Sequence, residues 1–132
     1  MNKQKIYLLI GVLLALSLVL VSVAEAVPGE KKVPKARLLF PTKTISYSSF
    51  GDTLTFDWTD VKNADSYTIG IWYSESGQEN WVPIQHTEYV TVSNYEYDKA
   101  LFPPGYDYRW HVVTYIGTSY SYSRDGTFSV VA

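Results

Sequence analysis

Phe102-Pro103-Pro104-Gly105-Tyr106-Asp107-Tyr108-Arg109-Trp110-His111-Val112 sets a proline-glycine corner directly ahead of a strand whose alternate residues are large and apolar. A strand repeats its side-chain direction every two residues. Tyr108, Trp110 and Val112 therefore point into a core, while Asp107, Arg109 and His111 point away from it, as in a half-buried strand of an antiparallel sheet.

Further runs of the same kind lie on both sides of this stretch. Leu54, Phe56 and Trp58 alternate with Thr53, Thr55 and Asp57 after the Gly51-Asp52 turn. Tyr67, Ile69, Ile71 and Tyr73 alternate with Thr68, Gly70 and Trp72, which puts Trp72 on the outer face. Arg37 to Phe40, ending at Pro41, suits an edge strand, because proline cannot donate to a central ladder, and Ile45 to Ser48 would continue that edge. Further strands are expected over 80–84, 87–93, 95–97 and 106–116, with Gly117-Thr118 turning the chain toward a last strand that ends at 127–131. No window carries a helical period, so the fold class is all-β: a two-sheet antiparallel sandwich of about seven strands.

The beginning of the chain has a different character. Lys3 and Lys5 precede an apolar run from Ile6 to Val23, and Ala24-Glu25-Ala26 supplies the small residues of a cleavage site. Residues 1–26 therefore read as a signal peptide. The run is also close to the length that spans a bilayer, so an uncleaved anchor helix is the alternative, with membrane contact only through residues 6–23. Residues 27–36, with two prolines and several charges, read as a linker, and 37–132 as the domain. The expected location is extracellular or in the cell envelope. The chain has no cysteine, so packing rather than disulfides must stabilise the domain. The net charge of −2 gives no electrostatic footprint for nucleic acid, and the cations Lys31, Lys32, Lys35 and Arg37 read most simply as a solvated linker.

The run from Leu54 to Val61, the run from Ala64 to Ile71 and the Pro104-Gly105 corner leading to Tyr108, in this order, resemble a fibronectin type III domain of the immunoglobulin-like superfamily. The resemblance covers roughly Lys35 to Ala132. It implies that Trp58 is the core tryptophan of the second strand, B, and that Tyr67 begins the third, C. Tyr108 is then the tyrosine-corner residue of strand F, its hydroxyl bonded back to main chain. Either Leu101 or Phe102 fills the core position ahead of the corner. Some members of the family bind integrins through Arg-Gly-Asp. Here the order is Arg124-Asp125-Gly126, which reads as a turn with Gly126 at positive φ.

No chemistry is spelled out. The two histidines, His86 and His111, lack metal-ligand spacing, and Asp57, Asp60 and Asp65 read as solvated turn carboxylates. No nucleophile elbow or phosphate-cradling glycine motif occurs, so neither enzyme activity nor a cofactor is expected. The anomaly is aromatic content. Twenty-one Trp, Tyr and Phe residues, all but Tyr7 beyond the leader, exceed what a core of this size holds. Trp72, Trp81, His111, Tyr115, Tyr120 and Tyr122 are the candidate binding residues on the outer face of strands C, F and G. Exposed rings suit a protein partner at the cell surface, as in adhesion or envelope assembly. A polysaccharide partner or strand addition into a filament or surface layer are the alternatives, and cross-strand ring pairing for stability alone accounts for the same residues.

Overall fold

The computed structural model describes residues 32–132; the expected signal peptide or anchor and the first part of the expected linker lie outside the described residues. Nine strand segments follow in chain order: β1 (Leu38–Phe40), β2 (Ile45–Ser46), β3 (Thr53–Trp58), β4 (Ser66–Glu75), β5 (Val82–His86), β6 (Asn94–Asp98), β7 (Tyr106–Ile116), β8 (Ser119–Tyr122) and β9 (Gly126–Val131). One sheet has the order β1-β3-β6. The other runs β2-β9-β7-β4-β5, with β8 also paired to β7. This is an all-β sandwich of two sheets, and β3, β4, β6 and β7 are the strands that the resemblance to a fibronectin type III domain puts in the B, C, E and F places.

The nine segments lie on seven passes of the chain. β7 is long enough to pair with β9 over its first half and with β8 over its second. Between the pairs Trp110–Gly126 and Val113–Tyr122, two residues of β7 face three of the partner, which makes a bulge at Ser123–Asp125. Ser123 keeps the ladder closed there. Its N–H donates to the Val112 carbonyl at 2.8 Å, and its hydroxyl accepts from the Val112 N–H at 2.9 Å.

β1 and β2 likewise share one pass, but they belong to different sheets. β1 is antiparallel to β3, whereas β2 runs parallel to β9, so the expected wholly antiparallel pattern fails at this edge. The cause is the crossing at Pro41, after which the chain travels beside the last strand in the same direction. Only Ile45 and Ser46 are strand, and Tyr47–Ser49 forms a 3-10 turn. Trp110 pins this crossing: its indole N–H donates to the Pro41 carbonyl at 2.8 Å.

Three other expectations shift. The strand expected over 80–84 is Val82–His86, on the sheet edge where Pro83 is tolerated. Residues 87–93 carry the chain from one sheet to the other and make a single bridge, Tyr67 to Val90, instead of a strand. Val33 and Ala36 are buried, Ala36 in the main core, so the end of the expected linker packs on the domain. Ser121 holds it there by donating to the Pro34 carbonyl at 2.9 Å.

The core is mostly aromatic. Phe56 meets Tyr97, Phe102, Trp110 and Phe128 at centroid distances of 5.3, 5.4, 4.8 and 5.7 Å, each such pair contributing about 0.5–1.5 kcal/mol beyond burial. Phe102 is fully buried and Leu101 only partly, so Phe102 fills the position ahead of the corner. Tyr108 stacks on Phe128 at 4.9 Å, and its hydroxyl donates to the Pro103 carbonyl at 2.6 Å, the expected tyrosine corner. Gly105 turns that corner at φ 96°, where other residues are strained. The Tyr67 hydroxyl accepts from the Val61 N–H at 2.9 Å beneath Trp58. Gly126, expected at positive φ, instead begins β9 in ordinary strand conformation. Space rather than φ accounts for the glycine: a Cβ there would lie 2.8 Å from Leu38 Cδ1 and 3.1 Å from Trp110 Nε1.

Candidate functional site

The face of the larger sheet that points away from the core is built by strand parity. β7 presents Arg109, His111 and Tyr115 on it, and β4 presents Thr68, Gly70 and Trp72. Register then decides which of these meet. Gly70 pairs with His86 on one side and His111 on the other, and Trp72 pairs with Arg109. Because Gly70 has no side chain, Trp72 folds back over it. A Cβ at Gly70 would stand 2.8 Å from Trp72 Cη2, 3.0 Å from His86 Cε1 and 3.1 Å from His111 Nε2. The bare backbone is the floor on which these three rings rest.

From there the rings continue across the face. Trp72 meets His86 at 5.5 Å and His111 at 5.0 Å, and His111 meets Tyr122 at 5.2 Å. Tyr122 meets Tyr120 at 5.8 Å, Tyr120 meets Tyr115 at 6.2 Å, and Tyr115 meets Tyr89 at 5.0 Å. At the other end the Arg109 guanidinium lies 5.5 Å from the Trp72 ring centre and 4.9 Å from that of Trp81. Trp72, Trp81, His111, Tyr115, Tyr120 and Tyr122 thus belong to one run of contacts, with Arg109 joining Trp81 to the rest.

Two features give this run its electrostatics. Asp125, projected by the bulge, lies 3.8 Å from Arg109 Nε and 3.7 Å from His111 Nδ1. Burial pulls the His111 imidazole below the usual histidine range. The Asp125 carboxylate opposes that shift without cancelling it, and His86 and Arg109 reinforce it. Around neutral pH His111 is therefore an uncharged ring between Trp72 and Tyr122.

Arg109, His86, Tyr89 and Gly70 belong to the face without having been singled out from the sequence. For Arg109 the signal was present, since it alternates with Tyr108 and Trp110. His86 falls between the strands expected over 80–84 and 87–93, and only the placement of β5 brings it to Trp72. Tyr89 falls in the strand expected over 87–93, to which alternation assigns no face, and the crossing between sheets is what brings it to Tyr115.

No family model matches the sequence, and no curated protein matches it. Among solved structures the chain is similar to a Fn3-like protein from Clostridium thermocellum, with 18% identity over 77% of this chain and 97% of that one, at a TM-score of 0.49.

Proposed function

We propose that the chain is an exported, non-enzymatic module that makes protein contact at the cell surface through the aromatic face of β4, β7 and β8. The carrying observation is how the rings are set. No two neighbours along the run lie parallel: the planes cross at 85–87° for Trp72 and His86, His111 and Tyr122, and Tyr120 and Tyr122, at 62° for Tyr89 and Tyr115, and at 58° and 45° for the tilted pairs Trp72 with His111 and Tyr115 with Tyr120. A sugar platform needs flat ring faces turned outward together. Crossed rings offer a relief of faces, edges and hydroxyls, which suits side-chain interdigitation with another protein. Tyr89, Tyr120 and Tyr122 are 66%, 59% and 52% exposed, so the relief is accessible.

Export is supported by the basic start, the apolar run and the Ala24-Glu25-Ala26 site. Strand addition into a filament is less favoured at the β5 edge, where Pro83 interrupts the donor row. The test compares the unaltered protein with Trp72→Ala and with the pair Tyr120→Ala and Tyr122→Ala in pulldowns from envelope fractions. Circular dichroism checks that each variant is folded. Both variants are expected to lose their protein partners, and retention on polysaccharide gels by the unaltered protein alone would move the assignment to glycan binding. Folded variants that keep every partner would remove the proposal.

A further inference from the structure

Beside the bulge that projects Asp125 toward the aromatic face lies an open cleft of about 560 Å³, enclosed by the approach to β1, the bend that follows it and the start of β9. Lys35, Arg37 and Arg124 line it, together with Thr42 and Thr127. All three cationic residues are exposed, and none has a carboxylate within 4.0 Å among the described residues. Asp125, also on the wall, is engaged with Arg109 and His111. The lining is thus positive in a protein whose net charge is −2.

The two arginines stand on fixed backbone rather than on free chain. Arg37 is tied to the end of β3, its N–H donating to Thr59 Oγ1 at 2.9 Å and its carbonyl accepting from the Thr59 N–H at 2.9 Å. Arg124 is held in the bulge, where the Ser123 hydroxyl donates to its carbonyl at 2.9 Å. Two guanidinium forks from sequence-distant segments, with a lysine between domain and leader, therefore border the same space. A fork binds a phosphate or carboxylate in two-point fashion, and a lysine adds a compact charge.

We propose that this cleft binds a multiply charged oxyanion, with Arg37 and Arg124 each engaging one anionic group and Lys35 supplying the third charge. The full chain, isotopically labelled in a nonionic detergent, is titrated with pyrophosphate, citrate and chloride at about 0.01 M ionic strength, where screening extends over ~30 Å. Saturable shifts are expected at the amides of Arg37 and of residues 124–127 with one or both polyanions, and the stronger of the two separates a phosphate from a carboxylate ligand. Arg37→Gln and Arg124→Gln should each weaken binding by about fivefold or more, while Lys62→Gln, on an exposed corner, leaves it unchanged. Chloride reproducing the shifts at equal ionic strength, no saturation below about 1 mM polyanion, or an affinity in both arginine variants unchanged from that of the unaltered protein would each overturn the proposal. The aromatic face takes no part in this titration, so its outcome is independent of the protein-contact assignment.

Discussion

Trp110→Ala is expected to lower stability by about 3–5 kcal/mol and the melting temperature by roughly 15–30 °C. Trp110 is fully buried, packs edge-on against Phe56 at 4.8 Å and lies 6.5 Å from Trp58. It also carries the hydrogen bond to the Pro41 carbonyl that fixes the first pass where it changes sheets. Alanine leaves a cavity and strands that carbonyl in one step. Domains of this size hold about 5–15 kcal/mol in total, so a large part of the native population is at stake. Trp110→Phe should recover part of the packing and none of the hydrogen bond. Chemical denaturation of the three proteins gives the comparison, and a loss below about 1 kcal/mol for alanine would show that the crossing is held by something else.

Two buried tyrosines should respond to the same substitution with opposite signs. The Tyr108 hydroxyl bonds to Pro103, whereas the Tyr97 hydroxyl is buried without a hydrogen-bond partner among the described residues. Burial pushes both phenols well above the usual tyrosine range, with Tyr95 adding to the effect at Tyr97 and Tyr106 and Tyr47 at Tyr108. Tyr108→Phe removes the bond that closes the corner and leaves a carbonyl unpaired, a cost of about 1–3 kcal/mol. Tyr97→Phe removes a desolvated hydroxyl that returns nothing, so stability should hold or rise by up to about 1 kcal/mol. Equal destabilisation by both variants would mean that these hydroxyls contribute alike and that the corner bond is not special.

The parts of this fold that were legible in the sequence are those governed by a single strand. The alternation of Tyr108, Trp110 and Val112 fixes β7 and its buried face, and Leu54, Phe56 and Trp58 do the same for β3. What was not legible depends on pairs. The bulge at Ser123–Asp125 exists because β7 pairs with two halves of one pass, and nothing in Ser119–Tyr122 alone reports that. The parallel pairing of β2 follows from a crossing at Pro41 that a local reading takes for the end of an edge strand. Ala36 carries no period, yet it is a core residue because Arg37 and Thr59 tie that segment to the sheet.

The candidate face divides in the same way. Strand parity alone sends Trp72, His111 and Tyr115 outward, but their contacts follow from cross-strand register. Arg109 reaches Trp72 because the two are register partners, and His86 and His111 converge because both flank Gly70. Composition had already required exposed rings. It could not require that they form one run.

The most direct measurement of the protein-contact assignment is site-specific photocross-linking on intact cells. A photoreactive benzoylphenylalanine replaces Tyr120 on the aromatic face in one strain, and in another it replaces Glu96, which is exposed on β6 in the opposite sheet. Discrete protein adducts from position 120 and none from position 96 are expected. Adducts from position 96 alone, or the same adducts from both, would contradict the assignment of protein contact to the face of β4, β7 and β8.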